Sequence, residues 1–417
     1  MSTNRRQFLG LAAAAGASLA VRAETVHAVN NPTSVEEAET FDSLVDSPPV
    51  LQVPSNTGMT AVWAVKKNVT GYVQYGLEPE KLDQTSYGAV FGQSPFDDQF
   101  LQIRITGLKP NTKYYYRTAT VPVQVNGASE FQSGTPVFGE TYSFETAGSN
   151  KAIGSFSSIN DMHENRSTLK QLVKRLDLIK SDYTVFNGDA VNHFDRTDQV
   201  VEKVLRPAQS AFATERPLIY VPGNHEQRGL WVKNVPRALP TWDRYEPENP
   251  SRGRNFVVRT GPLAMIGLDT GEDKEDTHQQ YAGLAHYVLY RREQTVWLAE
   301  ALESPLVKSA PFIVVFLHAP FDVRKPLGND AEHPGWGELL NKYQVQLAVS
   351  GHTHRFAYFP AEPGRSWAQV VGGGNGPKSQ VTVIHGKAEG DSLEVVVDEL
   401  NKNEELGRWT YPKRSTV

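Results

Sequence analysis

Leu218-Ile219-Tyr220-Val221-Pro222-Gly223-Asn224-His225-Glu226 is an apolar strand that turns through Gly223 into Asn, His and Glu. Four other stretches share this design. Ile153 to Ile159 leads to Asp161-Met162-His163, and Tyr183-Thr184-Val185-Phe186 leads to Gly188-Asp189. Phe312 to Leu317 leads to His318, and Val345 to Val349 leads to Gly351-His352-Thr353-His354. Between the strands at 153 and 183, Leu169, Leu172, Val173, Leu176 and Ile179 recur at helical spacing. Strands alternating with helices predict a layered α/β domain. In such sheets ligands gather beyond the carboxyl ends of the strands, so five strand ends carrying Asp, Asn and His predict one site. Carboxylate, imidazole and amide donors suit Zn, Mn or Fe, and the histidines argue against a pure Ca or Mg cage.

Working outward, residues 47–147 read as short strands separated by turns, which predicts a β-sandwich. Tyr72-Val73-Gln74-Tyr75 and Leu101 to Ile105 alternate cleanly, whereas Met59 to Val65 alternates only in part. Leu108-Lys109-Pro110-Asn111-Thr112-Lys113-Tyr114-Tyr115-Tyr116 resembles the tyrosine-corner segment of fibronectin type III-like domains, with the Tyr114 hydroxyl bonding back to the chain. At the N-terminus, Asn4-Arg5-Arg6-Gln7-Phe8-Leu9 precedes an apolar run to Val21 that is too short for a membrane span. It resembles a bacterial twin-arginine signal. This implies passage through the twin-arginine export machinery, a periplasmic or extracellular destination, and no membrane attachment after cleavage. The expected layout is a signal over 1–28, a linker over 29–46, the sandwich over 47–147, the α/β domain over 151–400 and a tail over 401–417.

Composition narrows the function further. The chain has 417 residues, 39% apolar and 21% charged, values ordinary for a globular protein of two or three domains. A net charge of −5 with no basic run excludes a stable nucleic acid partner. No cysteine is present, which removes thiolate zinc sites, disulfides and a cysteine nucleophile.

The ordered set D-x-H, GD, GNHE, H and GHTH resembles the calcineurin-like metallophosphoesterases. This resemblance implies a four-layer αββα sandwich and two transition-metal ions (Fe, Mn or Zn). Asp161, His163, Asp189 and His354 would hold one ion, and Asp189, Asn224, His318 and His352 the other. Asp189 would bridge ions about 3.5–4 Å apart. It implies hydrolysis of phosphate mono- or diesters, on a phosphorylated small molecule or nucleotide, by in-line attack of a metal-bound hydroxide. His225 would protonate the leaving oxygen or stabilise transition-state charge, and Glu226 would orient a neighbour. The sandwich before this domain also resembles purple acid phosphatases. That group has a tyrosine three residues after the bridging aspartate, where this chain has Asn192, and it lacks the histidine supplied here by His163. The ligand set is therefore that of the D-x-H enzymes rather than a ferric-tyrosinate centre. The competing layout is an exported binding protein with a degenerate metal site that acts through its sandwich; the intact ligand set argues against it.

Overall fold

The computed structural model describes residues 39–242, 253–324 and 333–415. The signal segment 1–28, the linker up to residue 38 and residues 243–252 lie outside these ranges. Two sheets face each other across an apolar layer that includes Phe156, Val185, Val221, Met265, Val314, Phe316, Val349 and Val395. One is nine-stranded, in the order Glu404–Pro412, Ser392–Glu399, Thr382–Glu389, Ile153–Ile159, Tyr183–Asn187, Leu218–Val221, Val45–Gln52, Met59–Val65 and Phe100–Ile105. The other is six-stranded, in the order Phe256–Thr260, Leu263–Leu268, Phe312–Leu317, Leu347–Ser350, Ala368–Val371 and Ala357–Phe359. The strands at 153, 183 and 218 pair in parallel, as do those at 263, 312, 347 and 368. Parallel strands covered on both faces take near-continuous apolar runs, and Tyr183–Asn187 and Phe312–Leu317 are buried throughout.

Helices close the outer faces and complete the αββα layering. Arg166–Ile179 lays Leu169, Leu172 and Leu176 against the nine-stranded sheet, as its spacing predicts. Tyr287–Glu303 and Trp336–Lys342 cover the six-stranded sheet with Trp297, Leu298, Trp336 and Leu340. Among the described residues no helix is long and apolar enough to cross a membrane.

The N-terminal β-sandwich pairs the strands at 45, 59 and 100 with a second, seven-stranded sheet built on Val69–Gly76, Lys113–Gly127 and Tyr142–Glu145. Its first sheet is no separate body. Gln52 pairs with Leu218, so that sheet continues into the α/β domain. This explains the poor alternation of Met59–Val65. Met59, Ala61, Trp63 and Val65 fill the sandwich core, while Val62 and Ala64 belong to the core on the opposite face, where the helix Val235–Ala238 packs on this strand. All seven residues are buried.

Two boundaries differ from the sequence-based layout. Leu44 and Val45, inside the expected linker, are buried, and the first strand starts at Val45. The expected tail 401–417 instead supplies the edge strand Glu404–Pro412. Beyond it the buried Arg414 donates to the carbonyls of Ala310, Val307 and Tyr343. A strand on a sheet edge needs few apolar residues on its solvent side, so its pattern is faint.

The tyrosine corner is present. The Lys109 N–H donates to the Tyr114 hydroxyl at 3.0 Å, and the ring stacks on Phe144. Tyr114→Phe keeps that stacking and leaves the Lys109 N–H without its acceptor, so it should lower stability by about 1 kcal/mol. Urea denaturation measures this; an unchanged midpoint would mean that water replaces the hydroxyl at no cost.

Candidate metal centre

Each candidate residue sits at or just beyond the carboxyl end of a strand, and the local backbone is bent sharply there. Asp161, His163, Asp189, His352 and His354 all have positive φ, between 44° and 70°. Left-handed backbone is uncommon outside glycine, with Asp, Asn and His tolerating it best. Each such residue costs on the order of 1–3 kcal/mol, and such strain collects at functional sites. The glycines beside them provide clearance. A Cβ on Gly188 would lie 2.1 Å from His318 Nδ1, and one on Gly223 would lie 2.3 Å from Asp189 Oδ1. The ligand side chains occupy space that any other residue would fill.

The side chains converge in two groups that share one member. Asp161, His163, Asp189 and His354 bring ligand atoms within 4.8 Å of one another, as do Asp189, His318 and His352. Asp189 Oδ2 lies 3.4 Å from His163 Nε2 and 3.2 Å from His318 Nε2, between the two groups. Asn224 Oδ1 lies 3.1 Å from His352 Nδ1, which places its amide in the second group. The donors fit a pair of cations. Asp161 Oδ1 and His318 Nε2 are buried and make no hydrogen bond, yet both face the centre. Buried polar atoms ordinarily have partners, and two orphans of opposite character aimed at one point are what ligand atoms look like.

The opposite end of each ligand is tied down. His318 Nδ1 donates to the Asn187 carbonyl at 2.9 Å, which leaves Nε2 as the coordinating nitrogen. Asp161 Oδ2 accepts from the His352 N–H at 2.8 Å and from Asn160 Nδ2 at 2.6 Å, leaving Oδ1 for the centre. Burial works against a charge on Asp189, but His318, then His225 and His163, hold its carboxyl far below the usual carboxylate range. His318 shows the same pairing from the other side. Burial opposes its charge, and Asp189 overrides this and raises its pKa to about 10.

Residues 157–356 match the calcineurin-like phosphoesterase family, and residues 48–146 match the purple acid phosphatase N-terminal domain. The chain is a calcineurin-like phosphoesterase domain behind a purple acid phosphatase N-terminal domain. Over 327 residues it is 26% identical to purple acid phosphatase 21 of Arabidopsis thaliana, covering 74% of this chain and 66% of that protein. The match thus spans just under two thirds of that relative. A purple acid phosphatase from yellow lupin (Lupinus luteus) seeds has the same fold, with TM-score 0.60, 15% identity and coverage of 88% of this chain and 75% of that one. So does a structure of PhoD, with TM-score 0.60, 12% identity and coverage of 90% of each chain.

Within this phosphoesterase domain, the two departures from the purple phosphatase pattern form one unit. Asn192 Oδ1 accepts from His163 Nδ1 at 3.1 Å, and the Asn192 carbonyl accepts from His225 Nδ1 at 3.0 Å. Where the tyrosine would stand, Asn192 therefore orients both the extra histidine and His225. The signal in the sequence was that both departures occur together; the bond between them is tertiary.

Other residues find their places too. Glu226 is fully buried and accepts four backbone N–H groups, from Asp189, Ala190, Val191 and Gly223. Burial, then Asp189 close by, pushes its carboxyl up to about 7, while His318 and the N–H groups of Asp189 and Gly223 pull the other way. Arg228 forms a two-pronged ion pair with Glu272 at 2.8 Å, and its Nη1 lies 3.2 and 3.4 Å from the two ring nitrogens of His225, packed against the ring. His193 lies outside the centre, its Nε2 3.1 Å from Asp195 Oδ2. His278 caps a short turn, His333 packs on Phe321 and Trp336, and His385 pairs with Asp398. Asn160 went unnoticed in the sequence, because nothing local shows that its Nδ2 reaches both Asp161 and the Gly373 carbonyl.

Asn192→Ala frees the His163 ring. Loss of a partner that orients a metal-bound histidine typically weakens metal affinity about 10–100-fold. The loss should fall on the metal held with His163 and spare the one held with His318 and His352. Metal titration followed by elemental analysis should show one tight and one weakened equivalent; two equally tight equivalents would mean that Asn192 does not steer His163.

Proposed function

We propose that the protein is an exported, metal-dependent phosphoesterase that hydrolyses phosphate mono- or diesters. The observation that carries this reading is Asp189, a buried carboxylate shared by two converging donor groups in a phosphoesterase domain. In the proposed assignment Asp161, His163, Asp189 and His354 hold one ion, and Asp189, Asn224, His318 and His352 hold the other. When bound, two such ions supply an activated water and neutralise charge on the phosphoryl oxygens. The chain's residues supply position. Asp189, its carboxyl held ionised by His318, His225 and His163, is the ligand that both cations would share. His225 remains outside both ligand groups, with its Nε2 4.0 Å from Asp189 Oδ2. Its Nδ1 is committed to the Asn192 carbonyl, so Nε2 is the atom available to a leaving-group oxygen. Arg228, held by Glu272, keeps the ring from swinging away.

Two variants separate these roles. Asp189→Asn removes the charge that both ions share and should deplete both metals together. His225→Ala removes no ligand, so both metals should stay while the rate falls on the order of 10²–10⁴-fold, as for a missing general acid. The loss should be smaller for an aryl phosphate, whose leaving group needs little protonation, than for an alkyl phosphate. Metal analysis and steady-state rates on both substrates decide this. A metal-free His225→Ala protein would put His225 among the ligands. Equal slowing of both substrates would make it a charge stabiliser and not a proton donor. Wild-type protein purified without chelator and free of metal would sink the enzyme reading altogether.

Export rests on Arg5-Arg6 before the apolar run from Leu9 to Val21. Replacing both with Lys should leave unprocessed protein in the cytoplasm, seen by cell fractionation. Continued export of that variant would rule out the twin-arginine route.

A further inference from the structure

A cleft of 580 Å³ opens between the segment His352 to Arg355 and the segment Lys378 to Gln380. That volume falls within the roughly 300–1,000 Å³ of sites that hold whole ligands, far more than one phosphoryl group fills. Its charge is one-sided. Among the described residues no carboxylate lines it, although the chain as a whole carries −5. Arg355 and Lys378 are exposed, and neither side chain has an ion-pair partner among the described residues. Arg228, the other arginine at this centre, is neutralised by Glu272 at 2.8 Å. Two cations left unpaired beside a metal centre raise the local concentration of anions.

The walls are also fixed to each other. Gln380 Oε1 accepts the Phe356 N–H at 3.1 Å, and the Gln380 carbonyl accepts the Gly374 N–H at 2.9 Å. Ser379 N–H donates to the Gly376 carbonyl at 3.0 Å. The segment carrying Lys378 is thereby held against the segment carrying His354 and Arg355. An anion entering the cleft meets a preformed backbone and orders the Arg355 and Lys378 side chains on arrival.

We infer that this cleft is a subsite for a second phosphate of the substrate, held by Arg355 and Lys378 while the scissile phosphoryl group lies at the metal centre. The inference rests on the phosphoesterase reading and names its substrate class: compounds with two phosphate groups close together, such as a nucleoside diphosphate. Two unit cations match a phosphate dianion in charge, and both guanidinium and ammonium are established phosphate-binding groups. Because the second phosphate is not the reacting one, its contacts bind ground state and transition state alike. They act on KM more than on kcat.

The test compares the metal-loaded enzyme with Arg355→Ala/Lys378→Ala and with Lys378→Arg. The measured quantity is the ratio of kcat/KM for a nucleoside diphosphate to that for an aryl phosphate, together with the affinities for inorganic pyrophosphate and orthophosphate by calorimetry. The wild type should favour the diphosphate, and the double variant should reduce that ratio on the order of tenfold, mostly through KM, with a similar loss in pyrophosphate affinity. Lys378→Arg keeps the charge and should retain most of the preference. An enzyme that hydrolyses the aryl phosphate with a ratio unchanged by the double variant overturns the subsite and leaves the hydrolase reading intact. A protein that hydrolyses neither substrate, yet binds pyrophosphate more tightly than orthophosphate through these two cations, upholds the subsite and overturns the hydrolase reading. No preference for pyrophosphate in the wild type overturns the subsite in either case.

Discussion

The Glu226 carboxylate is the interaction on which the rest of the centre depends. It is buried without solvent contact, and its two oxygens accept four backbone N–H groups at 2.7 to 3.3 Å. Three donors, Asp189, Ala190 and Val191, belong to the turn after the strand Tyr183–Asn187. The fourth, Gly223, belongs to the turn after Leu218–Val221. One side chain thus ties together the two loops that present Asp189 and Asn224. Hydrogen bonds to a charged acceptor contribute about 1.5–3 kcal/mol each, and four of them hold the bent backbone even though burial still pushes the carboxyl up to about 7.

That backbone needs holding. Five of the seven proposed ligands have positive φ, and the turns would relax if nothing opposed them. Asp189 N–H is held by Glu226, His163 N–H by the Asp189 carbonyl, Asp161 N–H by the Gly188 carbonyl, and His352 N–H by Asp161 Oδ2. The chain of bonds runs from Glu226 through every turn that carries a ligand of the first group. Two carboxylates and four histidines converge there, and the buried Asp161 Oδ1 and His318 Nε2 have no partner among the described residues, which a bound cation would provide.

The nine-stranded sheet explains why the N-terminal sandwich stays fixed. Gln52 pairs with Leu218, Gln52 Nε2 donates to the Ala238 carbonyl, and the Tyr116 hydroxyl donates to the Thr214 carbonyl. The strand Leu218–Val221 leads into Asn224 and Glu226, so the sandwich borders an element of the metal centre itself. The sandwich thus braces that strand through a sheet shared by both domains.

The sequence by itself determined the layering, the strand ends and the identity of the candidate ligands. Apolar strands broken by Gly and followed by Asp, Asn or His are local patterns, and topology carries such strand ends to one edge. Tyr114 was legible for the same reason, since its bond closes over five residues. Tertiary structure alone decided what depends on contacts distant in the chain. Met59–Val65 hides its alternation because the helix Val235–Ala238 covers its second face. The edge strand Glu404–Pro412 looked like a tail because solvent on one side asks little of its composition. Asn192 reaches His163 across 29 residues, Asn160 reaches Gly373 across 213, and Arg228 reaches Glu272 across 44. Hydrogen bonds of that span leave no period in a sequence. They depend on where the folded chain brings donor and acceptor, and a single sequence does not record that.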